Sequence, residues 1–218
     1  MTTILLIRHT LSEGNTLGIC SGQLDLPLAK KGFEQAQVLA GYLKEQYLIE
    51  AIYTSDLCRA VQTAQPTADA FGLVGQTDPD LREVCAGEFQ GVLWKKLETD
   101  RAEANDAWQA LEKGRYPLHP KGAETYEEVA ERMERAIMGI VRKNAGKCVA
   151  LVSHARALRI FLDSWKERDP VLREYCSPWK TLWSGSITEL VFDEDGEFCR
   201  VEKIGYHDFM KKATNAVE

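Results

Sequence analysis

The chain has 218 residues, of which 44% are hydrophobic and 28% are charged, with a formal net charge of −6. This composition excludes a disordered or low-complexity protein and, since no basic block occurs, argues against binding to nucleic acid or to a membrane surface. The apolar runs are far shorter than the roughly 18 residues of a membrane span. From the length of the chain we expect one globular domain over residues 1–218.

In chain order, strand patterns alternate with helix patterns. Short runs rich in branched apolar residues predict four buried strands, at residues 3–7, 51–54, 147–152 and 186–192. Apolar residues that recur at three and four positions predict amphipathic helices over residues 33–43 and 126–141. The pair Ser55-Asp56 is typical of a helix N-cap and predicts a third helix, and a fourth is expected after Ala155.

Strands that alternate with long helices require crossover connections between parallel strands. We therefore predict an α/β fold, a three-layer α/β/α sandwich around a mainly parallel central sheet. Residues 91–122 hold two tryptophans and much of the Glu and Lys content. They are predicted to form a helical insertion of the same domain that lies over the carboxyl edge of the sheet.

The cysteines and the first residues indicate a cytoplasmic protein. Six cysteines are scattered along the chain, none at Cys-x-x-Cys spacing, which is typical of reduced thiols. The chain starts directly with an apolar strand, without the basic and apolar segments of a secretory leader. The four histidines do not pair with cysteines or with each other at metal-ligand spacing, which argues against a zinc site.

Two of the predicted strands end in a histidine. One leads into Arg8-His9 and another into Ser153-His154. Ligands bind at the carboxyl edge of open parallel sheets, where neighbouring strands lie about 4.8 Å apart, so the two imidazoles can face one small substrate. Either histidine alone is better explained as a structural residue. Their matching positions, with an arginine beside one of them, favour a site.

A third predicted strand ends in Ser55-Asp56 and opens a helix that carries Arg59 in its first turn. The amides and the positive dipole end of a helix start favour anions, and a planar guanidinium binds phosphate or carboxylate through two hydrogen bonds. Alone, Arg59 would more often be a solvated helix charge. Combined with Arg8 and the two histidines, it predicts an anion-binding cluster.

Several motifs follow one another along the chain. They are Arg8-His9, the stretch Tyr53-Thr54-Ser55-Asp56-Leu57-x-Arg59-Ala60-x-x-Thr63-Ala64, Leu81-x-Glu83 with Gly87-Glu88, and Val152-Ser153-His154. Further matches are Asn15, Gly22, Asp25-x-Pro27-Leu28, and Gly122-x-Glu124-Thr125 with Arg132. As an ordered set over residues 3–192, they resemble the phosphoglycerate-mutase-like branch of the histidine phosphatase superfamily.

This resemblance implies a phosphomonoesterase that needs no metal and no other cofactor, because arginines supply the positive charge. His9 would attack the phosphorus and form a phosphohistidine, while Glu83 would protonate the leaving alkoxide and then activate water. Glu88, close to it in the chain, is the alternative acid and base. The residues implied to hold and stabilise the phosphoryl group are Arg8, Asn15, Gly22, Arg59 and His154. The implied partners are a small phosphomonoester and inorganic phosphate, and nothing in the sequence indicates an oligomeric state.

Hydrolysis is one of three functions that the sequence leaves open. Mutases of this family carry an adjacent pair of arginines in a longer insertion, and the lack of any Arg-Arg dipeptide here favours hydrolysis over transfer to a second hydroxyl. A catalytically weak, phosphate-binding regulatory protein is the other alternative. The joint presence of His9, His154 and Glu83 argues against it. Signatures of other classes, such as Cys-x₅-Arg or Gly-x₄-Gly-Lys, do not occur.

Three parts of the sequence depart from the family pattern. Thr10-Leu11 replaces Gly-Glu after the first histidine, and Thr10 is expected to narrow the pocket or offer it a hydroxyl. Ala155 replaces the Gly that commonly follows the second histidine. Arg156, the next residue, either reaches an acidic group of the substrate or is exposed, and we expect exposure. Ala29 stands where a Thr or Ser often caps a helix, at a cost of about 1 kcal/mol.

Overall fold

The computed structural model describes residues 1–99, 120–177, 180 and 182–210. These residues form one six-stranded sheet in the order β3-β2-β4-β1-β5-β6. Its strands are β1 (Thr2–Arg8), β2 (Ile49–Thr54), β3 (Gln76–Thr77), β4 (Cys148–Ser153), β5 (Ile187–Phe192) and β6 (Phe198–Tyr206). Strands β1 to β4 pair in parallel, whereas β5 and β6 run antiparallel to their neighbours. The prediction of a mainly parallel sheet is confirmed.

All four predicted strands are present, with every end within two residues of the predicted one. The sequence patterns do not predict the two edge strands, β3 and β6. β3 has only two residues, both exposed, and much of β6 is polar and at least partly exposed. Edge strands need no continuous apolar run and commonly carry charges, so a search for apolar runs misses them.

Seven α-helices lie in the described part of the chain. They are α1 (Glu13–Leu17), α2 (Lys30–Gln46), α3 (Cys58–Phe71), α4 (Trp94–Thr99), α5 (Tyr126–Lys143), α6 (Ala155–Ser164) and α7 (Pro170–Cys176). Alternate side chains of β1 enter different core clusters. Leu5 and Ile7 pack with α2 and α3, whereas Ile4 and Leu6 pack with α5 and α6. The sheet is covered on both faces, which confirms the three-layer sandwich.

The predicted cap of α3 is wrong. The helix begins at Cys58 with Leu57 in the N-cap position, and Asp56 instead forms an ion pair with Arg82. The amide of Cys58 donates to a carboxylate oxygen of Asp25 at 2.7 Å. A local pair of good capping residues therefore gives way to a cap that comes from a segment far away in the chain.

The starts of α2 and α5 differ in how their amides are satisfied. Ala29 precedes α2 and makes no side-chain cap hydrogen bond, as expected. α5 begins with a capping box, in which Thr125 accepts from the Glu128 amide and Glu128 accepts from the Thr125 amide. The start of α2 is thus the weaker of the two.

The predicted insertion over residues 91–122 is described only in part. α4 lies in it, and residues 100–119 fall outside the described residues. A single domain over residues 1–218 stays a prediction. No helix among the described residues is long and apolar enough to cross a membrane.

Candidate active site

The register between β1 and β4 brings the two strand-end histidines together. Arg8 pairs with Ser153 at the carboxyl ends of these neighbouring parallel strands, so the next residue of each is a histidine at the same edge. The rings of His9 and His154 lie 5.1 Å apart, centroid to centroid. Both residues are buried.

A hydrogen bond to a neighbouring backbone carbonyl fixes the tautomer of His9. Its Nδ1 donates to the carbonyl oxygen of Thr10 at 2.6 Å, because a carbonyl can only accept. In the neutral ring, Nε2 then keeps its lone pair. Burial, followed by the charges of Arg8 and Arg59, holds the pKa of His9 well below its ordinary value of 6.5. At neutral pH this ring is therefore uncharged and nucleophilic at Nε2.

His154 is buried with two unsatisfied ring nitrogens. Neither Nδ1 nor Nε2 has a hydrogen-bond partner among the described residues. Burial is the main cause that holds its pKa well below 6.5, and the nearby Arg59 contributes. A buried polar group without a partner costs free energy, so these nitrogens are suited to bind a ligand.

Two arginine side chains are anchored by backbone carbonyls beside the histidines. Arg8 donates through Nη1 to the carbonyl of Leu182, while its buried Nε has no partner among the described residues. Arg59 is 1% exposed and donates to the carbonyls of Leu24 and Gly22, each at 2.7 Å. Carbonyls orient the guanidinium groups without neutralising them. Their charge is thus available to an anion.

Glu83 brings a carboxylate to the same cavity. Its Oε1 accepts from the amides of Val84 and Ala157 at 2.9 Å, and its Oε2 accepts from the amide of Arg156 at 3.3 Å. The last two amides belong to the first turn of α6, directly after His154, so one helix start positions both groups. Burial lowers the pKa of Arg8, and the charge of Glu83 opposes this shift in part.

Arg132 holds the backbone segment that carries Glu83. Its guanidinium donates to the carbonyls of Asp80 and Arg82 at 2.8 Å and of Glu83 at 3.1 Å, and it also pairs with the carboxylate of Glu124. The sequence pattern matches Arg132 and Glu124 to the family motif but does not indicate this function. Only the approach of α5 to the segment shows it.

Of the groups described above, Arg8, His9, Arg59 and Glu83 line an open cavity of about 140 Å³, whereas His154 and Arg132 are not among its lining residues. It is lined by Arg8, His9, Ser12, Asn15, Ile19, Cys20, Ser21, Gly22, Arg59, Glu83, Val84, Trp94, Ala155 and Arg156. Asn15 reaches it from α1, where its Oδ1 accepts from the amide and hydroxyl of Ser12. Gly22 has a positive φ of 49°, and a Cβ there would lie 2.5 Å from Oε1 of Gln90. Glycine therefore allows this close turn beside Arg59.

The expectation for Thr10 is wrong. This residue is fully buried and does not line the cavity. Its hydroxyl donates to the carbonyl of Gly32 at 2.9 Å, and its amide donates to Oγ1 of Thr63 at 3.1 Å. The side chain thus fastens the end of β1 to α2 and α3 instead of offering a hydroxyl to the cavity.

The expected exposure of Arg156 is also wrong. The side chain lines the cavity and lies over the ring of Trp94, with 4.5 Å from Cζ to the ring centre. Glu88, in contrast, is exposed on a short 3₁₀ turn and is not among the cavity residues. Of the two candidate carboxylates, only Glu83 lies at the cavity.

The arrangement combines a nucleophilic nitrogen, cationic side chains and a carboxylate at one cavity. Among the described residues, no group of three or more His, Cys, Asp or Glu side chains is placed to hold a metal ion. The positive charge described at this cavity comes from arginine. Such a set of groups suits the transfer of an anionic group to and from nitrogen.

Comparison with known proteins agrees with this chemistry. A family model described as the histidine phosphatase superfamily (branch 1) matches residues 4–204. A metal-independent phosphoserine phosphatase of Arabidopsis thaliana is 32% identical over 160 residues, which make up 73% of this chain and 66% of that protein. Phosphoglycerate mutase-like protein 4 of the same plant is 33% identical over 158 residues, or 72% of this chain and 67% of that protein. The matched part thus spans about two thirds of these relatives.

A solved structure shows the same fold over nearly all of the chain. The mycobacterial glucosyl-3-phosphoglycerate phosphatase in complex with VO3 has a TM-score of 0.77 and 27% identity. The superposition covers 93% of this chain and 98% of that one.

Proposed function

Because the chain belongs to branch 1 of the histidine phosphatase superfamily, we propose that it hydrolyses a small phosphorylated metabolite through a phosphohistidine at His9, without a metal ion. One observation carries this proposal. The neutral ring of His9, with Nδ1 engaged and Nε2 unprotonated, lines the cavity, and its centroid lies 5.1 Å from that of the unpartnered ring of His154. The names of the phosphatase relatives support the same activity.

In the first step, Nε2 of His9 forms a bond to phosphorus while the bond from phosphorus to the ester oxygen breaks. The carbonyl of Thr10 accepts from Nδ1 and stabilises the positive charge that develops on the ring. Glu83 donates its proton to the departing oxygen, which leaves as an alcohol.

In the second step, water attacks phosphorus and the bond to Nε2 breaks. The carboxylate of Glu83 takes the proton of the water, so inorganic phosphate leaves and both His9 and Glu83 return to their starting states. One carboxylate can serve both steps because the leaving alcohol and the attacking water use the same side of the phosphoryl group.

Arg8, Arg59 and His154 stabilise the phosphoryl oxygens during both steps. Arg59 and His154 are buried and Arg8 is partly buried, and a desolvated donor that is already oriented stabilises developing charge more strongly than a solvated one. Asn15 contributes a neutral donor through its amide nitrogen. Gly22 acts indirectly, since its carbonyl holds Arg59.

The cavity favours a small substrate. Its volume of about 140 Å³ lies below the roughly 300–1,000 Å³ of typical pockets for drug-sized ligands. The same site could pass the phosphoryl group to a second hydroxyl, as the name of one relative suggests. The assay below separates the two outcomes, because only hydrolysis releases inorganic phosphate.

The decisive assay measures phosphate release in excess EDTA from p-nitrophenyl phosphate and a panel of phosphoglycerates, sugar phosphates, α-ribazole phosphate and nucleotides. We expect turnover by the unaltered chain and a loss of at least about 10³-fold in His9→Ala, since the nucleophile is removed. Rapid quenching with ³²P-labelled substrate is expected to trap an acid-labile label on the protein. His9→Ala should show no label and an unchanged circular dichroism spectrum.

Normal turnover in His9→Ala, or turnover abolished by EDTA, would contradict the proposal.

We further propose that the protein works in the cytoplasm, where its six cysteines, all free in the structure, stay reduced.

A further inference from the structure

Arg156 is held in the wall of the candidate active site by two neighbours. Its guanidinium lies over the ring of Trp94. Burial raises the pKa of the Cys20 thiol, and the nearby charge of Arg156 opposes that shift. Both neighbours line the same cavity, one from α4 and the other from the segment that follows α1. The aromatic face and the thiol orient the cation but do not neutralise it.

No ion pair among the described residues involves Arg156. Its side chain is partly buried, so it gives up part of its hydration without gaining a carboxylate partner from the protein. By contrast, surface arginines such as Arg135 and Arg168 pair with acidic residues. An unneutralised guanidinium in a cavity wall is suited to bind an anion.

The position of Arg156 in the cavity indicates which part of a substrate it meets. Its amide donates to Oε2 of Glu83, the group that protonates the leaving oxygen, whereas Arg8 is adjacent in the chain to the nucleophile His9. Atoms beyond the leaving oxygen therefore lie on the Arg156 side. The charges of Arg8 and Arg59, which lie beside His9, match the two negative charges of a phosphoryl dianion, so the charge of Arg156 is left for the leaving group.

We propose that Arg156 is a specificity-determining residue that binds an acidic group, a carboxylate or a second phosphate, on the leaving group of the substrate. The inference rests on the proposed function, because Glu83 defines the leaving-group side of the cavity. Substrates of this class are phosphorylated acids or bisphosphates. Neutral phosphate esters of the same size are bound and turned over less well.

Three compounds, compared with one another, test this assignment. 3-Phosphoglycerate and glycerol 3-phosphate differ only by a carboxylate in place of a hydroxymethyl group, and 2,3-bisphosphoglycerate adds a second phosphate. Calorimetry with the His9→Ala variant measures their binding without turnover. We expect tighter binding of the acidic probes, and Arg156→Gln in this background should reduce the preference by about 10- to 100-fold.

Arg142→Gln is the matched control, since it removes one positive charge as well, but from an exposed arginine at the end of α5 that does not line the cavity. It should leave the preference unchanged. Arg156→Lys keeps the charge and should restore part of the preference, and Trp94→Leu should weaken it by releasing the guanidinium. The ratio of kcat/KM values for the same probes in the active enzyme should follow the binding ratio.

The two proposals can fail separately. Equal losses of binding for acidic and neutral probes in Arg156→Gln would show that Arg156 binds the transferred phosphoryl group and would overturn the inference. An unchanged preference would overturn it as well. If no substrate is hydrolysed but the binding preference depends on Arg156, the acidic subsite stands and the proposed hydrolysis falls.

Discussion

The chemical role of each residue at the cavity depends on the hydrogen bonds that its atoms accept or donate. The carbonyl of Thr10 decides which nitrogen of His9 is nucleophilic, and backbone amides decide where the carboxylate of Glu83 lies. Glu88 resembles Glu83 in the sequence, yet it is exposed away from the cavity. A residue's chemistry therefore depends on a few hydrogen bonds that its type alone does not reveal.

Glu83→Gln should slow alkyl phosphates by about 10²- to 10⁴-fold, because the amide cannot protonate the leaving oxygen. The loss on p-nitrophenyl phosphate should be much smaller in a single-turnover measurement, since p-nitrophenolate leaves without a proton. Glu88→Gln is the matched control and should behave like the unaltered enzyme on both substrates. Equal losses on alkyl and aryl phosphates in Glu83→Gln would assign the acid to another group.

At the scale of elements, the pairing of β1 with β4 places His9 beside His154. Both faces of β1 are buried, with Leu5 and Ile7 on one side and Ile4 and Leu6 on the other. A slip of one residue would exchange the two faces and move His9 away from its partner. The core packing thus also determines the distance between the two histidine rings.

The start of α2 offers a test of helix capping away from the cavity. Ala29 has extended backbone angles, as an N-cap residue requires, but no side-chain acceptor, and the first turn carries Lys30 and Lys31 without an acidic residue. Ala29→Asp should raise the free energy of unfolding by about 1 kcal/mol, through a hydrogen bond to a first-turn amide and favourable charge at the positive dipole end.

Urea unfolding measures the gain, with Ala29→Asn and Ala29→Val as controls. The Asn variant keeps the hydrogen bond without the charge and should gain less than the Asp variant at low salt, while the Val variant should gain nothing. No gain in either polar variant would show that the first-turn amides are already satisfied in solution.

Across the whole molecule, the burial of two neutral histidines couples stability to pH. The folded protein holds the pKa of His9 and of His154 well below 6.5, whereas the unfolded chain leaves both near that value. Above pH 6.5 both states are unprotonated and the histidines have no effect. As pH falls below 6.5, the unfolded chain takes up protons that the folded protein does not. Stability should then fall by up to about 1.4 kcal/mol per pH unit for each histidine.

Urea unfolding at pH 7.5, 6.0 and 5.0, in buffers without phosphate, measures this dependence. His154→Asn removes one of the two groups, so its loss of stability between pH 6.0 and 5.0 should be smaller by up to about 1.2 kcal/mol. Carboxylates titrate in both proteins and cancel in the comparison. Identical pH dependence in the two proteins would show that His154 is protonated in the folded state.

The sequence alone determines the fold class and the location of the candidate site. Buried strands, amphipathic helices and histidines at matching strand ends follow from the order of residue types, because burial and backbone periodicity act locally along the chain. The motifs around His9, Arg59, Glu83 and His154 also identify the family before any coordinates. The edge strands leave no such signal, since they bury too few side chains.

Only the tertiary structure decides which neighbours a side chain meets. It buries Thr10, whose hydroxyl donates to the carbonyl of Gly32, and it brings Arg156 over the ring of Trp94. It also caps α3 with Asp25 in place of the pair Ser55-Asp56. Each of these contacts joins residues that are distant in the chain, so local preferences carry no information about them. A partner within hydrogen-bond distance outweighs a preference of a few tenths of a kcal/mol, and the folded packing alone determines which partner is near.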